Sequence, residues 1–267
     1  MAVAAGGCGA RGGSLAAAGG APFTLKFNFD KGAKYTYDTT TKLSQTGAAT
    51  MQLTETVTNT VEIEDKTDHG FKALTTFGDV KVDTGSSAGA AAASQTESLK
   101  GTTMETTYGS DGAVQNVEVK SNNPLMKAMG SALGGMNFGF MGLVCPSSAI
   151  HVGSTWNSTL DLGRVLGAAG MGGANGGNST VPISFKLSSV AETGGKTIAD
   201  IAIDVSGSAV LTVMGQSVTD KLSLKGELHV DAAKGLVLDY TLGGTQSMDL
   251  GGKGIDQRLD VTCKLRS

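Results

Sequence analysis

From Phe23 onward, run after run of this chain places an apolar residue at every second position, and most runs end at a turn built on Gly, Asp or Asn. Side chains along a β-strand point alternately to opposite faces, so the pattern specifies strands with one buried side. Phe23, Leu25, Phe27 and Phe29 share one face of the first run, and Asp30-Lys31-Gly32 turns it. Runs at 35–42, 51–63, 71–82, 96–108 and 113–119 follow. After an interruption the pattern resumes at 183–190, 197–205, 209–213, 218–230, 236–242, 246–250 and 255–265. Short runs at such even spacing predict an antiparallel meander.

The interruption, 122–156, is the most apolar part of the chain and lacks strand alternation. Asn123-Pro124 has the chemistry of a helix start, because Asn caps free N–H groups and Pro suits the first helical position. Leu125, Met129, Leu133 and Met136 then recur at spacings of three and four, which puts them on one face of a helix over 124–134. Gly134-Gly135 ends it, and Phe138, Phe140 and Met141 continue as an apolar loop toward Trp156, the only tryptophan. The expected fold is therefore mainly β. It is a large curved antiparallel meander, a half-barrel or open barrel built from two β-halves, with one covering helix and an apolar loop. Residues 1–21 read as a low-complexity leader or lipoprotein tether, and 22–267 as a single β-rich domain. Its first β-half spans 22–121, the helix, apolar connection and Gly-rich loop 122–180, and the second β-half 181–267.

The two halves carry a short internal match. Ser98-Leu99-Lys100-Gly101 recurs as Ser223-Leu224-Lys225-Gly226, with Gly70 and Gly195 each 28 residues upstream. This suggests a duplication.

Composition removes several function classes. A net charge of −3, with no basic stripe, gives nucleic acid nothing to bind. No run reaches the ~18 apolar residues of a membrane-spanning helix. Cys8 follows Ala5-Gly6-Gly7, small residues like those that precede a bacterial lipidation cysteine, so Cys8 is the candidate lipid anchor. Cys145 and Cys263 then remain as a candidate disulfide or as two buried thiols.

Catalytic motifs are missing from the sequence. His69, His151 and His229 are far apart, with no cysteine or histidine at ligand spacing, and no G-x-S-x-G elbow occurs. Gly7-Cys8-Gly9-Ala10-Arg11-Gly12 has the letters of a dinucleotide loop but neither a strand before it nor a helix after it. The acidic turn of Glu62, Glu64, Asp65 and Asp68 lacks the spacing of a calcium loop. No catalytic residue, metal site or cofactor is expected.

Two landmarks carry a resemblance. One is Phe27-Asn28-Phe29-Asp30-Lys31-Gly32-Ala33-Lys34-Tyr35-Thr36-Tyr37; the other is Pro146 followed by Val152-Gly153-Ser154-Thr155-Trp156. Together they resemble a family of uncharacterised secreted bacterial proteins and lipoproteins whose domain has a P…VGDxW-like block, with Ser154 standing where that block has Asp. By architecture alone the expected fold also resembles the LolA-like half-barrel of lipoprotein carriers. The resemblance implies export to the periplasm or the outer cell surface, with membrane contact only through a lipid anchor. The expected function is non-enzymatic: binding of a lipid, acyl chain or other apolar small molecule, or of an envelope partner. Leu125, Met129, Leu133, Met136, Phe138, Phe140, Met141 and Trp156 are the candidate lining. The alternatives are a structural or adhesive surface module without a ligand cavity, and a β-rich hydrolase.

Overall fold

The computed structural model describes residues 22–47, 50–84, 100–120, 143–161, 179–213, 216–250 and 253–266. They build one antiparallel sheet of eleven strands. In chain order these are β1 (Lys34–Gly47), β2 (Met51–Thr67), β3 (Gly70–Thr84), β4 (Thr103–Gly109), β5 (Val114–Lys120), β6 (Thr155–Asp161), β7 (Thr180–Thr193), β8 (Lys196–Val213), β9 (Gln216–Asp231), β10 (Leu236–Leu250) and β11 (Lys253–Leu265). Across the sheet the order is β5-β4-β3-β2-β1-β11-β10-β9-β8-β7-β6.

The chain thus walks outward from β1 to the edge strand β5 and crosses to the opposite edge at β6. It then walks back until β11 pairs with β1, in register from Tyr37 opposite Leu265 to Gly47 opposite Ile255. The first and last strands form the central seam between a wing of β1–β5 and a wing of β6–β11. Alternation sets the faces. In β7, Val181, Ile183, Phe185 and Leu187 are buried while Pro182, Ser184, Lys186 and Ser188 are exposed.

The sheet curves, and local chemistry shows how. Register shifts at Val57/Asn59, Leu187/Ser189 and Val237/Asp239 mark bulges, which bend and twist a strand. A Cβ on Gly226 would lie 1.8 Å from the Thr241 carbonyl oxygen, and one on Gly244 would lie 2.0 Å from that of Ser223. Only glycine permits so close an approach of β9 and β10.

One end of the resulting trough is plugged by two extended segments. Residues 22–33 bury Leu25, Phe27 and Phe29, and residues 143–154 bury Leu143, Cys145 and Ile150. The segments pair with each other through Phe23 and Ile150. Cys145 N–H donates to Asp111 O in the β4–β5 turn, and Gly153 N–H donates to Leu187 O in β7, so 143–154 bridges the two edges of the sheet. Asn28 N–H donates to Lys234 O in the β9–β10 turn. Side chains from both wings and both segments form one apolar cluster there, which makes this face the concave one.

Several expectations change. Residues 23–29 do bury one alternating face, yet they form no sheet strand: the segment crosses the strand ends and is held by the Phe23–Ile150 bridge and the Asn28–Lys234 hydrogen bond. The expected breaks at 206–208 and 243–245 are continuous β8 and β10, because the glycines there serve close strand contact instead of turning the chain. The repeated tetrapeptide does not mark equivalent places. Lys100 and Gly101 lie in a turn before β4, whereas Lys225 and Gly226 lie mid-strand in β9. Among the described residues there is no helix; the expected helix at 124–134 lies outside them.

Candidate functional site

A single sheet with an apolar face needs a second layer to bury it. At the plugged end the segments 22–33 and 143–154 supply one. Toward the opposite end of the trough, the described strands contribute only this one sheet. The candidate site is that part of the concave face.

Its two sides differ in chemistry. On β7–β10 it is hydrocarbon apart from Asp220 and Gln246, with Ile183, Val205, Ala209, Val218, Leu222 and Leu224 all buried. On β1–β4 hydroxyl and amide groups interrupt it: Thr39, Asn59, Thr75 and Thr106 are buried among Val57, Phe77 and Met104. Thr39 Oγ1 donates to Cys263 Sγ at 3.4 Å. Both amide atoms of Asn59 and the Thr106 hydroxyl have no hydrogen-bond partner, uncommon for groups so deeply buried.

Between the sides lies a floor on β2, β1, β11 and β10. Leu53, Leu43 and Leu259 stand side by side in register, all half-buried. One step toward the opposite end, Gln45, Gln257 and Gln246 are neighbours across three strands. Gln257 Nε2 donates to Gln45 Oε1 at 3.1 Å, and Gln246 Nε2 donates to Asp220 Oδ2 at 2.9 Å. Met51, Ile255 and Met248 flank this strip, also half-buried. Burial pushes the carboxyls of Glu55 and Asp220 above the ordinary range, and the Gln246 hydrogen bond partly opposes this at Asp220.

Of the eight expected lining residues, Leu125, Met129, Leu133, Met136, Phe138, Phe140 and Met141 lie outside the described residues, as does Cys8. Trp156 is placed: its Nε1–H donates to Val144 O at 2.7 Å, and its ring stacks on Phe185 at 5.5 Å. It therefore ties the connection to the wall. The candidate Cys145–Cys263 disulfide is not formed. The two stand as separate buried thiols, because Cys145 is pinned at the β4–β5 turn while Cys263 sits in the sheet between Thr39 and Tyr240. Burial raises the Cys145 thiol to about 12, with Asp111 adding to the effect, and the Cys263 thiol to about 11. Neither is a nucleophile at neutral pH.

Sequence reasoning missed the floor residues and Asp220. Leu53, Gln246, Gln257, Leu259 and Asp220 sit at inward positions of recognised runs, whereas Leu43 and Gln45 lie past the run at 35–42, in the part of β1 that the alternation did not reach. Only the seam of β1 with β11 brings Gln45 and Gln257, 212 residues apart, into contact. His229 lies on the convex face, with Nδ1 2.5 Å from Asp239 Oδ1 and Nε2 3.6 Å from Asp200 Oδ1. His69 and His151 are exposed, and among the described residues no group of His, Cys, Asp or Glu is placed to hold a metal.

The fold has a counterpart among solved structures. The chain is similar to part of lipovitellin, described for its lipid–protein interactions. The TM-score is 0.52 at 10% identity, over 90% of this chain and 26% of that one. The likeness is one of fold, and this chain spans about a quarter of the lipovitellin chain. The hypothetical lipoprotein YmcC from Escherichia coli aligns at TM-score 0.26 and 12% identity, over 87% of this chain and 89% of that one. A DUF1329 family protein from Desulfovibrio piger aligns at TM-score 0.22 and 9% identity, over 88% of this chain and 86% of that one. Scores that low carry no argument about the fold. No family model and no curated protein matches the sequence.

Proposed function

We propose that this chain is a non-enzymatic binding protein that holds an apolar ligand, a lipid or acyl chain, against the concave face of its sheet. The observation that carries the reading is the half-buried floor of Leu43, Leu53 and Leu259 beside a hydrocarbon wall, on a face for which the described strands provide no second layer. Apolar surface left in water costs roughly 25 cal/mol per Å², so such a floor favours an apolar occupant. The fold shared with lipovitellin, described for its lipid–protein interactions, supports the same reading. Leu125, Met129, Leu133, Met136, Phe138, Phe140 and Met141 belong to the same proposal as candidate lining, on the apolar spacing of the sequence. Export, with Cys8 as lipid anchor, belongs to the same proposal and rests on the Ala5-Gly6-Gly7-Cys8 pattern and the Pro146…Trp156 block.

Titration of the delipidated full chain with an environment-sensitive hydrophobic dye tests the reading. Leu43→Asp with Leu53→Asp puts two charges on one cross-strand pair of the floor. Saturable uptake that weakens about tenfold or more in this double variant is expected. No uptake, or uptake unchanged in a double variant with intact β circular dichroism, rules it out.

The surface-module reading has one observation of its own, the threonine pairs Thr36–Thr60 and Thr40–Thr56 on the convex face. A solved complex with the floor filled by the chain's own side chains favours that reading.

A further inference from the structure

We infer that the ligand of the concave face carries a cationic, hydrogen-bond-donating head, an ammonium group, seated at Asp220. This deepens the proposed function and rests on it. Three observations converge.

The first is the sign of charge. Among the described side chains, no Lys, Arg or His lies on the concave face. The cations stand on the convex face, as in the Lys34–Glu62, Lys225–Asp204 and Arg266–Asp38 pairs, or in turns such as that of Lys31. Two carboxyl groups, those of Glu55 and Asp220, do lie on the concave face. An anionic head, such as a fatty-acid carboxylate, would meet like charge at both of these carboxyls.

The second is an unmet hydrogen bond. Asp220 is only 4% exposed. Its Oδ2 accepts from Gln246, but its Oδ1 has no partner. Its cross-strand neighbours are Ala209 and Met248, which offer no side-chain donor. A buried carboxylate with one oxygen unpaired is costly, and an ammonium N–H supplies both the missing donor and the missing charge. Asp231, the other buried aspartate, is already used, since its Oδ1 accepts the Ala233 N–H.

The third is the order of polarity along the strands. The strip of Gln45, Gln257 and Gln246 beside Asp220 lies toward the unplugged end of the trough, and the row of Leu53, Leu43 and Leu259 lies one step deeper. Beyond that row, toward the plug, come Glu55, Thr41, Val261 and Leu242 in register, so the hydrocarbon path continues on β11 and β10. An amphiphile with its head at the glutamines and Asp220 runs its tail toward the plug along Leu259, Val261 and Leu242.

The test is competition for a bound hydrophobic dye by three amphiphiles of equal chain length, dodecylamine, dodecanol and dodecanoic acid, each below its micelle concentration. Full-length wild-type chain and Asp220→Asn are compared. The wild type is expected to take the amine about tenfold or more tighter than the acid, with the alcohol between, and Asp220→Asn to lose the preference for the amine while still binding the alcohol. Equal or tighter binding of the acid by the wild type overturns the inference, and needs no variant to do so. An amine preference that survives intact in a folded Asp220→Asn overturns it as well. Uptake with no preference among heads sinks this inference alone, whereas no uptake of any amphiphile sinks the binding reading with it.

Discussion

Asp220 is a residue whose stability effect has a definite sign. Burial raises its folded carboxyl above the unfolded value, so the ligand-free folded state holds the proton more tightly than the unfolded one. Its penalty is absent below the ordinary carboxylate range and grows as pH rises through the folded value. Asp220→Asn should leave acid stability unchanged and raise stability at neutral pH by about 1–2 kcal/mol, measured by denaturant unfolding at several pH values. His229 shifts stability in the same direction with pH, but through a gain on the acid side. Its hydrogen bond to Asp239 raises its folded value, so it contributes stability below about pH 6.5 that fades as pH rises through that value. His229→Gln should lose that acid-side gain, about 0.5 kcal/mol because the pair is exposed and screened. Neither role was legible in the sequence. His229 and Asp220 both stand in one recognised strand run, and only parity against the buried neighbours Leu222, Leu224 and Leu228 places one inside and the other outside.

Among the elements, the strands were legible and their partners were not. Alternation located most of the eleven, because a half-buried strand must write its two faces into the chain. It misread glycine. Gly207, Gly243 and Gly244 looked like punctuation, yet they lie inside β8 and β10; a Cβ on Gly244 would strike the Ser223 backbone and one on Gly207 the Pro182 ring. Gly226→Ala should therefore cost about 2–4 kcal/mol through strand displacement, read as a lower denaturant midpoint; a loss within 0.5 kcal/mol would contradict the close approach of β9 and β10. Residues 22–33 were misread for another reason. Their alternation is real, but it serves a plug laid across strand ends instead of a place in the ladder. Phe27 packs within 5.6 Å of Phe29 and 5.4 Å of Phe71, ring centre to ring centre. Phe27→Ala should cost about 3–5 kcal/mol, and should do so without altering the floor near Leu43.

On the scale of the whole molecule, the wings share one backbone ladder, that of β1 with β11, and the plug joins them at one end. Removal of 253–267 should leave β1 and β10 with bare edges and yield aggregated or unfolded protein, seen as loss of the single cooperative transition. The sequence could announce two runs of strands, but not that its first and last strands meet. Pairing that distant has no local signature, and the site on the floor depends on it. The central claim is that the trough holds an apolar molecule, and native mass spectrometry of full chain purified without detergent, followed by solvent extraction, addresses it directly. An adduct of lipid mass that extraction removes and added lipid restores is the predicted result. A bare protein mass before extraction, with no uptake of added lipid, contradicts it.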